Sequence, residues 1–154
     1  MVNPDFDWQP YGRHTPMFNW AGQTKTARLV GCHDSDTCRV VFDTLDGVKQ
    51  FIVRVEGIDG PEMNSQDTRG LRARNQLLQV VAPGLFTEDG QYTQKLIVDI
   101  LAEHIVLVTL ELGQMDKYGR VLSRIVSADG TDVAKHLLDI GAVHEYSGKT
   151  KLPW

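Results

Sequence analysis

The segment 50–63 (QFIVRVEGIDGPEM) constrains the fold more than any other, because it joins an apolar strand to a charged turn. β-Branched and aromatic residues in FIVRV predict a largely buried strand. Arg54 lies inside this strand, and an unpaired buried charge is costly, so its guanidinium must meet an anion from the protein or from a ligand. Glycine and proline in GIDGPE then predict a turn that presents Asp59 and Glu62 close to Arg54.

The order of strands and helices is typical of a small barrel. Five segments are β-branched and bounded by turn residues: 24–31, 38–45, 48–55, 105–112 and 121–127. Three segments have apolar residues at helical spacing: from about 66 to a stop at Pro83, from a Thr93 cap to about Glu103, and 131–140 with a Thr131 cap. This order predicts an α+β, mainly β fold, a five-stranded OB-fold β-barrel with two to three α-helices.

Length and composition fit one globular domain. The 154 residues suffice for a single core, and 42% hydrophobic with 23% charged residues is ordinary. Residues 1–24 show no periodicity and hold five aromatic side chains, which predicts an extended arm on the domain surface or, alternatively, a platform on which bases stack. Residues 25–154 are expected to form the domain, with a helical insertion around 85–103.

Charge and targeting signals limit the classes of function. A net charge of −4 argues against a general nucleic-acid coat protein, although a local site can still bind phosphate. The absence of a long apolar run and of a signal-peptide layout in residues 1–20 predicts no membrane association and a cytoplasmic protein, or a secreted one if the chain is a trimmed mature form. A monomer is expected.

The cysteines and histidines give no metal-ligand spacing. Cys32 and Cys38 fit no zinc pattern, and they are either a disulfide across a hairpin or, as we favour, two buried thiols. Arg69, Arg72 and Arg74 are interpreted as a solvated helix face with partners such as Asp67.

Three separated motifs resemble those of the staphylococcal nuclease (thermonuclease-like) family. They are 34–37 (DSDT), 54–62 (RVEGIDGPE) and 116–120 (DKYGR), within a resemblance that covers roughly residues 24–146. Each motif is weak alone, but their order and the matching spacings between Arg54, Asp59 and Glu62 make the resemblance specific. The family's fold, a five-stranded OB barrel with helices, agrees with the order of elements.

The resemblance implies a calcium site. Asp36 and Asp59 match the family's metal-ligating carboxylates, and the backbone carbonyl of Gly60, where the family often has threonine, would supply a further oxygen. Hard oxygen ligands with water in the remaining positions are what Ca²⁺ requires. Taken alone, Asp36 is more typical of a turn in which the side chain accepts a backbone hydrogen bond than of a metal ligand, and Asp59 is equally typical of both.

The resemblance also implies catalytic and substrate-binding residues. Glu62 would take a proton from the attacking water or orient it, and Arg54 and Arg120 would clamp the phosphate as charge develops on its oxygens. The remaining matches contact bound nucleotide, through a terminal phosphate or near the base: Lys117, Tyr118 and Tyr146. Without the resemblance, Arg120 and Lys117 would be solvated turn residues.

The implied activity is a calcium-dependent nuclease that hydrolyses DNA and RNA, prefers single strands and leaves a 3′-phosphate and a 5′-hydroxyl. The alternative is a non-catalytic OB-fold module that binds nucleic acid or protein. The presence of all five charged positions favours the enzyme.

Overall fold

The computed structural model describes residues 4–64, 66–147 and 151–154. Within these residues the chain forms seven strands: β1 Thr24–Asp34, β2 Thr37–Thr44, β3 Gly47–Val55, β4 Ile58–Asp59, β5 Leu107–Met115, β6 Val121–Ser127 and β7 His144–Glu145. It also forms three helices there: α1 Arg69–Val81, α2 Gln94–Glu103 and α3 Val133–Asp139. None of these helices has the length and hydropathy of a membrane span.

Five strands close into a barrel in the order β1, β2, β3, β6, β5. β1, β2 and β3 form an antiparallel meander, β5 and β6 form a second antiparallel pair, and β1 pairs antiparallel with β5. β3 and β6 are parallel, and a parallel pair needs a long connection, which here includes α1 and α2. The predicted α+β, mainly β fold, an OB-fold-like five-stranded barrel with helices, is confirmed.

The core fills the barrel and the space beneath the helices. Inward-facing residues such as Val40, Val53 and Leu110 are fully buried, and buried residues alternate along β6 with the period of two that a pleated strand requires. Leu78 of α1 and Ile97 of α2 are also fully buried, so both helices pack their apolar side against the barrel.

Side chains cap the starts of α2 and α3, and the cap of α3 differs from the predicted one. The Thr93 hydroxyl accepts a hydrogen bond from the Leu96 backbone amide, which confirms the predicted start of α2. The cap of α3 is Asp132 rather than Thr131, because the Thr131 hydroxyl donates to Asp129 within the preceding turn. Asp132 accepts from the Lys135 amide instead, and α3 therefore starts two residues later than expected.

The prediction that Arg69, Arg72 and Arg74 form a solvated face of α1 is wrong for Arg74. Arg74 is 1% exposed, and its guanidinium donates to the side-chain oxygen of Asn75 and to the Tyr92 carbonyl. The Asn75 amide in turn donates to the carbonyls of Glu88 and Gly90. This buried network fastens the loop between α1 and α2 to the helix, whereas the other two arginines of the segment are exposed as expected.

The N-terminal arm contacts the barrel through Trp20. Residues 4–23 contain no helix or strand. The Trp20 ring lies edge-on to Phe42 and Phe51, with centroid distances of 5.5 and 5.6 Å, and these two phenylalanines stack on each other. Trp8 and Tyr11, farther from the barrel along the chain, are exposed.

The two cysteines are free and buried, as the sequence favoured. Cys32 and Cys38 lie opposite each other in the β1–β2 ladder. Burial raises the pKa of both thiols, that of Cys38 to about 12, so both remain protonated near neutral pH.

Candidate functional site

One end of the barrel opens into a cavity of about 890 Å³. Its walls come from the β1–β2 turn, the end of β3 with the chain that follows it, the turn between β5 and β6, and the C-terminal tail. The structure brings all nine predicted site residues to this cavity: Asp36, Arg54, Asp59, Gly60, Glu62, Lys117, Tyr118, Arg120 and Tyr146.

A short sheet that the sequence did not predict holds Asp59 in place. After β3 the chain reverses through Gly57, whose φ of +82° is strained for other residues. β4 then pairs with β7 of the tail, so that Asp59 lies opposite His144. Two-residue strands give no periodic pattern, so the sequence contains no signal for this sheet.

Arg54 is the centre of the site's charge arrangement. The side chain is buried, and its Nη2 lies 3.7 Å from Asp36 Oδ2 and 3.8 Å from Asp59 Oδ1. Its Nη1 donates to the Val55 carbonyl at 3.0 Å. The expectation that this arginine meets an anion is confirmed, and both partners are the predicted metal-ligating aspartates, which face each other across one guanidinium.

Asp36 is held ionised by its surroundings. Its Oδ2 accepts from the Gly60 amide at 2.9 Å, and its Oδ1 accepts from the Thr37 hydroxyl at 3.0 Å. Burial opposes the charged form, but a hydrogen bond from the Asp34 side chain and the charge of Arg54 bring the pKa of Asp36 below its usual value. Asp36 is therefore available as an anionic ligand at neutral pH.

Asp34 is a site residue that the metal assignment did not include. Burial, and then the neighbouring Asp36 carboxylate, raise the pKa of Asp34 from 3.8 to about 7. Two carboxylates so close together cannot both ionise easily, so Asp34 keeps a proton that it shares with Asp36. The spacing of two acids in the 34–37 motif was the sequence signal for this pair.

The proton on Asp34 makes stability depend on pH. The pKa of Asp34 is about 7 in the folded protein and 3.8 ordinarily, so the folded protein binds this proton more tightly than the unfolded chain does. The contribution of the proton to the free energy of unfolding is therefore complete below about pH 4 and is lost as pH rises through 7. Asp34→Asn cannot ionise and keeps an oxygen for the Asp36 amide. We expect the variant to be more stable than wild type by about 2 kcal/mol at pH 8.5 and equal to it at pH 4.

Urea unfolding at several pH values measures this difference. Asp129→Asn is the control, since Asp129 also accepts side-chain hydrogen bonds but lies in a turn outside the cavity. Equal stability of Asp34→Asn and wild type at pH 8.5 would show that Asp34 is ionised in the folded protein without cost.

The Ser35 side chain occupies the space in which a side chain at position 60 would lie, so this position requires glycine. A Cβ atom at position 60 would lie 1.7 Å from Ser35 Oγ, far inside the contact distance. Ser35 is fully buried, and its hydroxyl finds no hydrogen-bond partner among the described residues. The threonine that is common at this position in the family that the motifs resemble therefore has no room here while Ser35 is present.

Gly60→Ala is expected to destabilise the protein by about 2 kcal/mol, because the Ser35 side chain and the turn that carries Asp36 must move. In a Ser35→Gly background the same change should cost about 0.5 kcal/mol or less, since the obstructing hydroxyl is gone. Denaturant unfolding of the four proteins gives the coupling energy. Additive effects of the two changes would contradict the steric explanation.

Arg120 is positioned by a tight turn. Its Nε donates to Asp116 Oδ2 at 2.6 Å, and Asp116 Oδ1 accepts the backbone amides of both Tyr118 and Arg120 at 2.9 Å. Gly119, with φ of +83°, allows the chain to close this turn. The Arg120 side chain remains 30% exposed at the cavity wall, which leaves guanidinium donors for a ligand.

Aromatic and basic groups surround the cavity mouth. The Tyr118 ring is 73% exposed, with Lys117 Nζ 5.2 Å and Arg120 Cζ 5.6 Å from its centroid. The Tyr146 ring lies 5.7 Å from Arg54 Cζ on another wall. The two rings offer flat faces beside positive charge, which suits a ligand that has both a base and a phosphate.

Lys151 is a second residue that sequence reasoning missed. Its Nζ lies 3.1 Å from Asp59 Oδ1, and this carboxylate raises the pKa of Lys151. Lys151 belongs to no motif, and the sequence gives no signal for its contact, because the two residues are more than 90 positions apart in the chain.

The donor atoms at the site fit a hard cation that keeps part of its water shell. Asp36 and Asp59 direct carboxylate oxygens toward one guanidinium, and an ammonium already neutralises the second of them. Among the described residues, no three His, Cys, Asp or Glu side chains form a group that could hold a metal ion. Ca²⁺ accepts backbone carbonyls and water as further ligands, so two carboxylates are compatible with it.

The cavity thus combines two buried carboxylates, two guanidiniums and the exposed carboxylate of Glu62. Such a site can bind an anionic diester together with a cation and can present a base to water. Neither a scan against protein-family models nor a search of curated proteins found a match to this chain, so its own chemistry is the basis for a function.

Proposed function

We propose that the protein is a calcium-dependent nuclease of the thermonuclease-like type, which hydrolyses phosphodiester bonds of DNA and RNA as a monomer. One observation carries the proposal: Arg54 lies between the buried carboxylates of Asp36 and Asp59, in the same cavity as Glu62 and Arg120. A structural ion pair alone would not need an exposed carboxylate and a second guanidinium at the same cavity.

Substrate binding follows from the charges and rings of the cavity. Arg54 and Arg120 are planar, permanently charged donors that suit the geometry of a phosphate. Lys117 and Tyr118 would contact a terminal phosphate at the mouth. Tyr118 and Tyr146 present rings on which unpaired bases can stack, and this favours single strands because a duplex keeps its bases stacked on each other.

In the proposed reaction, Glu62 accepts a proton from a water molecule or orients it, and the water oxygen forms a bond to phosphorus. The bond from phosphorus to the 5′ oxygen breaks, and this oxygen takes a proton from solvent water, while the proton of the attacking water passes to Glu62 or, where Glu62 only orients it, to solvent. The products are a 3′-phosphate and a 5′-hydroxyl. Arg54 and Arg120 offset the charge that develops on the phosphoryl oxygens. Asp36, Asp59 and the Gly60 carbonyl would hold Ca²⁺, which when bound polarises the phosphate.

A cleavage assay tests the proposal. Single-stranded DNA, single-stranded RNA and duplex DNA are incubated with the protein and Ca²⁺, with and without a calcium chelator, and the end groups of the products are identified. We expect cleavage of all three, fastest for single strands, that stops when the chelator is added. Binding without cleavage in Ca²⁺ would instead support the non-catalytic OB-fold module.

A further inference from the structure

The ammonium group of Lys151 lies beside Asp59, one of the two proposed metal ligands. Lys151 Nζ is 3.1 Å from Asp59 Oδ1, and Arg54 Nη2 is 3.8 Å from the same oxygen. Asp59 is only 2% exposed, whereas the Lys151 side chain is 59% exposed. A buried carboxylate thus receives its nearest positive charge from a side chain that can move away into water.

The tail residues 151–154 are anchored, so this contact is part of the fold. The Trp154 ring stacks on His144 with a centroid distance of 3.6 Å and an interplanar angle of 7°, and it packs against the core. His144 in turn lies opposite Asp59 in the β4–β7 ladder. The same short sheet therefore holds both the carboxylate and the anchor of the lysine that neutralises it.

The two buried carboxylates proposed as metal ligands are compensated without a metal ion. Asp36 and Asp59 contribute two negative charges, and Arg54 and Lys151 contribute two positive ones. Buried carboxylates need such compensation, since an isolated charge away from water is costly. A divalent ion bound to Asp59 Oδ1 would lie within a few ångströms of the ammonium group, and two cations so close repel each other.

We propose that Lys151 determines the metal affinity of this site, because its ammonium group compensates Asp59 in the metal-free protein and must leave before a divalent cation binds. The inference rests on the proposed function only in taking Asp36 and Asp59 as the metal ligands. It assigns to the C-terminal tail a role as an internal competitor, which keeps the carboxylates paired when calcium is scarce.

Metal binding, rather than activity, tests this role. Ca²⁺ affinity is measured by titration calorimetry and by the luminescence of bound Tb³⁺ for wild type, Lys151→Met and Lys151→Arg. We expect Lys151→Met to bind both ions about tenfold more tightly, and Lys151→Arg to bind as wild type does. Lys135→Met is the matched control, since Lys135 pairs with Asp139 at 3.0 Å on α3, outside the cavity.

The outcomes separate this inference from the nuclease proposal. Unchanged or weaker binding by Lys151→Met would overturn the inference, as would an equal gain in the Lys135→Met control. Failure of all variants to bind either ion would overturn it together with the calcium site. Tighter binding by Lys151→Met in a protein that cleaves no nucleic acid would support the inference and overturn only the proposed activity.

Discussion

Replacement of Glu62 by glutamine is expected to lower the turnover of single-stranded DNA by about a thousandfold. The amide has nearly the same shape as the carboxylate, but it cannot accept a proton from the attacking water. Glu62 is exposed at the cavity wall, so the change should leave the free energy of unfolding almost unaltered. The loss should appear in kcat, with KM changed little, because the carboxylate acts on the water rather than on the bound strand.

Glu56→Gln is the matched control for this variant. Glu56 is also an exposed glutamate that lines the same cavity, and it follows Arg54 in the chain. The control removes one negative charge from the cavity without touching the proposed base, and its kcat should stay within about threefold of wild type. If Glu62→Gln retained more than a tenth of wild-type turnover, Glu62 would not be the group that acts on the water.

Arg120→Ala is expected to lower turnover by about 300-fold, because it removes a guanidinium that stabilises charge on the phosphoryl oxygens. The turn should survive, since Asp116 Oδ1 still accepts the backbone amides of residues 118 and 120. Arg120→Lys keeps the charge but loses the planar pair of donors, so we expect it to recover only a small part of the activity.

Arg124→Ala provides the control for the arginine variants. Arg124 pairs with Glu111 and Asp132 on the outside of the barrel and does not line the cavity. Its loss should leave kcat unchanged, and circular dichroism with thermal unfolding establishes that each variant is folded. Full activity of Arg120→Ala would mean that its guanidinium serves the turn and has no part in catalysis.

Local patterns in the sequence were sufficient to predict most of the strands of the barrel. The strand β6 begins and ends where alternation and turn residues predicted, and α2 begins after its Thr93 cap. These features depend on residues within a few positions of each other, and a side chain at a helix start acts on amides two or three residues away. The closed five-stranded fold then follows from the order of the elements.

Local patterns were insufficient where an element depends on distant packing. β5 starts at Leu107, two residues later than expected, and extends to Met115 because it pairs along β6. Arg74 lies at helical spacing from Leu71 and Leu78, on the apolar side of α1, and the loop before α2 folds over it. The Tyr92 carbonyl that accepts a hydrogen bond from its guanidinium is 18 positions away, so no local pattern indicates this partner.

For the candidate site, three motifs in the sequence indicate eight of the nine residues, and Tyr146, which lies outside them, was matched through the wider resemblance. The chemical roles of all nine remain predictions. The folded chain sets the contacts among them: Arg54 lies between two aspartates, and Lys151 pairs with Asp59. Ser35 fills the space beside Gly60. The difference lies in how far apart along the chain the interacting residues are. Turns and caps depend on neighbours in the chain, whereas the energy of a buried charge depends on whichever group the fold brings within about 4 Å of it.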